Sequence, residues 1–274
     1  MLAAPSLLDI LYSDASGNLS YSSNVLPVSE GKTPIALCIA EPGFFGANEP
    51  GRWMSLKYMD YTTPEIGSLN PWGMCFGTGG ANLGISYIEY TYDGGSSAGY
   101  MNVDYYDNTS QSNKIPSALT INDEWNISIL GTVNQYAMTD MDGKNKTTTI
   151  ISNATSQSAW QTDTSITNDS GSGYAPAACC CYRYHTLGTQ AGDWYLGGCG
   201  EMSIILARKT AINTKLAAIA TVYPNVCIDS LYSGYYWTST LYDAWGVYYI
   251  STYTANITPY ENRDEDLVIA LLQY

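Results

Sequence analysis

The sequence predicts an α+β fold, mostly short β-strands with two short helices near 200–220 and a β-rich insertion. Three observations carry that reading. Short runs of β-branched, aromatic and other apolar residues recur between Gly, Pro, Asn and Asp clusters, the punctuation of strands and turns. One stretch, residues 200–220, instead spaces its apolar residues three and four apart, as a helix face requires. The pattern ends in a continuous apolar run, Leu267-Val-Ile-Ala-Leu-Leu272, which suits a central strand that closes the fold.

Taken in order, residues 1–27 read as an N-terminal arm of small strands and turns, with Asp14-Ala-Ser-Gly17 as a turn. Residues 28–274 read as one domain. Thr33-Pro-Ile-Ala-Leu-Cys-Ile-Ala40 is a buried strand, and Trp53-Met-Ser-Leu-Lys-Tyr58 alternates like a second one. Residues 64–170 are rich in Gly, Ser, Thr, Asn and Tyr and form the insertion. Inside it, Ile85–Tyr92 and Trp125–Leu130 are strand-like, and Asp142-Gly143 marks a hairpin turn before Thr147-Thr-Thr-Ile-Ile151. Asp140 and Asp142 do not match a calcium loop, because Gly143 falls two places too early. In the helical stretch, Thr210 is the expected cap of the second helix.

Composition narrows the function classes. Of 274 residues, 45% are apolar, enough for a substantial core, while charged residues reach only 13%. The polar surface must therefore come from Ser, Thr, Asn, Gly and Tyr. Twenty-five Tyr against three Phe is a lopsided choice; Tyr serves strands, and it also makes surfaces that are adhesive yet soluble. A net charge of −14 speaks against nucleic acid and against an anionic membrane surface, and solubility explains it plainly. No run approaches the ~18 apolar residues of a membrane span, so no membrane insertion is expected. The first ten residues lack a secretory signal, which leaves two expectations: a removed leader, or assembly in a cytosol. Seven Cys, three of them consecutive, form no CxxC pair and read as reduced, buried thiols.

Gly192-Asp-Trp-Tyr-Leu-Gly-Gly-Cys-Gly-Glu-Met202, then Ile212-Asn-Thr-Lys-Leu216, then Tyr236-Trp-Thr-Ser-Thr240 with Ala244-Trp245 form an ordered set of boxes. This set resembles the C-type-lectin-like variable proteins of Bacteroides and their phages, a family of the diversity-generating-retroelement type. Leu11-Tyr-Ser-Asp14, Gly31-Lys-Thr-Pro-Ile35, Pro176-Ala-Ala-Cys179 and Leu187-Gly-Thr189 are similar to further landmarks. Two departures stand out: Gly197-Gly198 replaces the usual Pro-Ser, and the terminal motif around Arg263 is degraded.

The resemblance implies a C-type-lectin-like fold with a variable, ligand-facing region at 232–262. Of these 31 residues, 21 are Tyr, Ser, Thr, Gly, Asn or Asp, and eight are Tyr. Adenine-directed mutagenesis of Asn codons cannot produce Trp, Met, Lys, Gln or Glu, and only Trp237, Trp245 and Glu261 belong to that excluded set. The candidate ligand-binding residues are Tyr232, Ser233, Tyr235, Tyr242, Asp243, Tyr248, Ser251, Tyr253, Asn256, Tyr260 and Asn262. Whether Tyr248 or Tyr249 faces outward stays open, because strand alternation allows either. Trp237 and Trp245 are expected to anchor the scaffold rather than to touch a ligand.

Catalysis has weaker footing. The single His185 sits close in sequence to Cys179–Cys181, yet no G-x-S-x-G elbow appears. No catalytic residues, no metal ligands and no cofactor are expected. The resemblance implies instead a non-enzymatic protein that binds a host cell-surface receptor, protein or glycan, as a homotrimer on a virion assembled in the host cytoplasm. A bacterial cell-surface adhesin or lipoprotein is the alternative, and an enzyme of unknown class the third.

Overall fold

The computed structural model describes residues 4–45, 47–60, 63–70, 74, 140–153, 175–241, 246–253, 256–261 and 266–274. Within them the fold is mixed α+β, with antiparallel sheets. Strands β1 (Ile10–Asp14), β2 (Leu19–Ser22), β3 (Lys32–Ala40), β4 (Arg52–Tyr58), β5 (Trp194–Leu196) and β9 (Ile269–Gln273) make a six-stranded sheet in the order β2-β1-β3-β4-β9-β5. Strands β6 (Tyr235–Leu241), β7 (Gly246–Ser251) and β8 (Asn256–Glu261) make a three-stranded meander. Four helices accompany them: α1 (Gly143–Asn153), α2 (Pro176–Arg183), α3 (Cys199–Ala207) and α4 (Lys209–Val222).

The large sheet is covered on both faces. Ile10, Tyr12, Leu37, Met54, Leu56, Ile269 and Leu271 point into one core with Met202, Ile204, Ile212, Leu216 and Ile219 of α3 and α4. Leu11, Ala36, Cys38, Trp53, Ala270 and Leu272 point into the other with Cys180 and Cys181 of α2. Successive residues thus alternate between two apolar environments, which is why these strands read as unbroken apolar runs. Leu267–Leu272 fulfils its expectation: β9 lies between β4 and β5.

The helices at 199–222 match the periodicity, with one correction. Helix α3 is buried at all nine positions, whereas α4 buries only Ile212, Leu216 and Ile219, a single stripe. Thr210 is not the cap; the break falls at Arg208, and α4 is already underway at Lys209. The N–H of Arg208 still bonds to the Ile204 carbonyl, so the two helices nearly run together and leave no separate cap to fill.

Two further expectations change. The 1–27 arm is not separate, since β1 pairs with both β2 and β3 inside the large sheet. The Asp14 turn does exist: its carboxylate accepts the N–H groups of Ser16 and Asn18 at 2.8 and 2.9 Å. Thr147–Ile151 is helix α1 rather than a strand after a hairpin. Strand propensity loses here to tertiary contacts. Ile150 is buried, and the Thr147 hydroxyl accepts the Leu196 N–H at 3.0 Å. Gly143 is needed not for a hairpin but for close approach, because a Cβ there would sit 2.4 Å from Gly198 N. The strand-like pieces at 85–92 and 125–130 lie outside the described residues.

A buried polar cluster fastens these parts together. Glu201 accepts Arg52 Nε at 2.5 Å, the Tyr195 hydroxyl at 2.9 Å and the N–H groups of Gly198 and Gly143 at 2.9 and 3.1 Å. Asp140 pairs with Lys146, accepts the Thr240 hydroxyl, and offers its carbonyl to Gly200 N at 2.9 Å. Thr240 in turn accepts Cys199 N at 2.8 Å. The otherwise unpaired N–H groups at the start of α3 are thereby satisfied. Burial pushes the Glu201 carboxyl above its usual range, while Arg52 and the hydrogen bonds pull it back.

Candidate functional site

Among the described residues, three exposed tyrosines, Tyr232, Tyr235 and Tyr253, gather at one end of the small sheet, while a fourth, Tyr274, stands apart after β9. The chain enters β6 through Tyr232, Ser233 and Gly234, and leaves β7 through Thr252 and Tyr253. These two segments are neighbours because Tyr235 pairs with Ser251 in the β6–β7 register. Tyr232 is 56% exposed, Tyr235 40% and Tyr253 75%, and Ser233 is exposed beside them.

The backbone beneath these side chains is held from several directions. Thr252 Oγ1 accepts the Gly234 N–H at 3.0 Å and donates to the Tyr232 carbonyl at 2.9 Å. The Thr252 N–H returns a bond to the Gly234 carbonyl at 2.9 Å. Tyr58 accepts the Tyr232 N–H at 2.7 Å through its hydroxyl, and the Tyr236 hydroxyl donates to the Tyr232 carbonyl at 2.9 Å. Both supporting phenols are buried, and burial raises the pKa of each. They therefore stay protonated and can donate at neutral pH. Lys209 Nζ caps the Thr252 carbonyl at 2.6 Å. The Tyr235 ring lies edge-on to Tyr249, with centroids 4.7 Å apart. Exposed aromatic side chains thus stand on a hydrogen-bonded backbone, an arrangement suited to molecular contact.

Not every candidate belongs to this surface. Tyr248 and Ser251 are buried and are corrected here. Strand β7 is the middle strand of its sheet, so Ser251 is flanked by Tyr235 on one side and Asn256 on the other. Tyr248 joins Tyr236, Ile250 and Ile257 in the core shared with α3. Tyr249, its alternative, is buried too, against Trp237 and Val247 in the second core. The small sheet is covered on both faces, so strand alternation has no outward side here. Asn256 and Tyr260 fall in β8, opposite Ser251 and Val247 in register. Tyr242, Asp243 and Asn262 lie outside the described residues, as does Trp245.

Trp237 is fully buried, its indole N–H donating to the Met74 carbonyl at 2.7 Å. It is the anchor the sequence leads one to expect. Cys179, Cys180 and Cys181 are shut inside the core, their thiols pushed above the ordinary range by burial. His185 is exposed and turns Nδ1 to the Arg183 carbonyl at 3.0 Å. No family model, curated protein or solved structure matches this chain.

Sequence reasoning missed the supporting residues Tyr58, Tyr236, Gly234 and Thr252. One signal was available. A buried aromatic position occupied by Tyr rather than Phe implies a partner for the hydroxyl.

Proposed function

We propose that this chain is a non-enzymatic binding protein with a C-type-lectin-like fold, whose Tyr232–Tyr235 and Tyr253 surface contacts a host cell-surface receptor. One observation carries the reading: three exposed tyrosines share a doubly locked backbone, while their sequence neighbours Tyr236, Trp237, Tyr248 and Tyr249 are buried. Such a division between fixed frame and presented surface lets contact residues vary without unfolding the domain. Tyr brings a large amphipathic area with only two side-chain torsions to fix, the property that antibody-like surfaces exploit.

The lectin-like assignment is supported by a last strand inside the large sheet and by a separate small sheet that carries the Tyr-Trp box. A homotrimer on a virion fits the reading energetically, since several weak sites on one particle gain affinity through effective concentration. The test is binding of purified protein to host cells. Replacing Tyr232, Tyr235 and Tyr253 together with Ala is expected to abolish binding, with secondary structure intact by circular dichroism. Retained binding by this triple variant would remove the proposed surface. Sedimentation of the purified chain as a monomer would remove the trimer.

A further inference from the structure

A cleft of about 520 Å³ opens where β1, β3 and β4 meet the loop after α2. Its wall is apolar, formed by Pro34, Ile35, Leu56 and Val226. Ile66 and Leu187, each 59% exposed, also line it. The volume falls in the range of small-molecule sites, about 300–1,000 Å³.

One carboxylate and one ammonium line it, and they differ in how far their hydrogen bonds are satisfied. Asp14 lines the cleft, but its oxygens are taken by its own turn, through Ser16 N, Asn18 N and Asn18 Nδ2. Lys57 stands half-buried beside it, with one hydrogen bond, to the Ile66 carbonyl at 3.2 Å. Among the described residues, no carboxylate lies within ion-pair distance of its ammonium. An ammonium has three N–H groups, so two remain for another acceptor. Burial lowers the Lys57 pKa, the mark of a cation short of a counter-charge. Asp14 keeps its negative charge across the cleft, but among the described residues no ion pair joins it or any other carboxylate to the Lys57 ammonium. His185 also lines it, with Nδ1 3.0 Å from the Arg183 carbonyl.

We propose that this cleft binds a small monoanion with an apolar body, of the medium-chain or aryl carboxylate class. The carboxylate would sit on Lys57, and the hydrocarbon would lie along Pro34 and Val226 and cover Ile66 and Leu187. The site is separate from the tyrosine surface and does not depend on the receptor reading.

Octanoate and its uncharged counterpart 1-octanol test it, titrated into the full chain by calorimetry and by saturation-transfer NMR. Octanoate is expected to bind with a Kd below about 1 mM. Octanol should bind at least about tenfold more weakly, the worth of one charge-assisted hydrogen bond. Lys57→Met keeps the stem and is expected to weaken octanoate about tenfold while leaving octanol unchanged. Leu187→Ser, at an exposed position that folding tolerates, should weaken both ligands. The proposal is overturned by the absence of octanoate binding at about 10 mM, by equal affinity for the two ligands, or by octanoate binding unaltered in Lys57→Met of unchanged melting temperature. Binding to host cells is expected to be the same for Lys57→Met and the parent chain, which separates failure of this site from failure of the tyrosine surface.

Discussion

Trp237 and Thr252 mark the two kinds of work that single residues do around the tyrosine surface. Trp237 is wholly enclosed and hydrogen-bonded through its indole N–H. Trp237→Ala is therefore expected to destabilise the chain by about 3–5 kcal/mol, read from the shift in its denaturation midpoint. A loss under about 1 kcal/mol would place the indole outside the core. Thr252 acts through geometry instead. Thr252→Val keeps the volume and removes the hydroxyl that holds Gly234 N and the Tyr232 carbonyl. Stability should fall by about 1 kcal/mol, while receptor binding falls more steeply because the tyrosines lose their fixed spacing. Equal loss in both measurements would make Thr252 merely structural. The abundance of Tyr over Phe has a physical origin at this scale. Hydroxyls of Tyr12, Tyr58, Tyr195, Tyr223 and Tyr236 all bond to protein groups, so part of the bias serves the frame rather than the surface. Composition alone could not separate those roles.

Among the elements, strands β3, β4 and β9 and helices α3 and α4 were legible because their apolar patterns are long and each burial environment is simple. Helix α1 was not. Its Thr-Thr-Thr-Ile-Ile run has strand propensity, and contacts distant in sequence, such as Thr147 to Leu196, join the local bonds of Asp140 and Asp142 in holding it helical. The small sheet was legible as strands but not in its burial. A pattern such as Val-Tyr-Tyr-Ile says nothing about which side is wet when both faces are covered. The Glu201 cluster was likewise invisible, since Arg52 and Glu201 are 149 residues apart. Its role is testable at the same scale. Glu201→Ala removes the buried carboxylate partner of Arg52, leaving it the half-exposed Glu49 and the Pro50 carbonyl, and is expected to destabilise by about 3 kcal/mol. Replacing both residues, as Arg52→Met with Glu201→Leu, should recover much of that loss, and no recovery in the double variant would show that the backbone N–H groups of Gly143 and Gly198 dominate instead.

For the molecule as a whole, the buried thiols set an alkaline limit. Burial pushes Cys38, Cys179 and Cys227 up to about 12 from an ordinary 9.0. Each is raised in the folded state, so its contribution is complete below the unfolded value and is lost as pH climbs through the folded one. The urea midpoint should therefore hold steady up to about pH 9 and decline between there and about pH 12. A midpoint unchanged at about pH 11.5 would mean that these thiols are already solvated. In a Cys75→Ser background, a thiol reagent at neutral pH should find the remaining six cysteines unreactive until denaturant is added.

The position of β9 also governs the order of events during synthesis. Strands β4 and β5 are not neighbours of each other; each finds its partner in residues 269–273. A ribosome must release residues up to Gln273, more than two hundred beyond β4, before that gap can be filled. Until then the edge of β4 stands open beside its apolar faces, a template for pairing with another copy. Closing contacts so distant in sequence is slow. Expression yield should therefore depend more on temperature and on chaperones that shield nascent chains than on the stability of the finished domain.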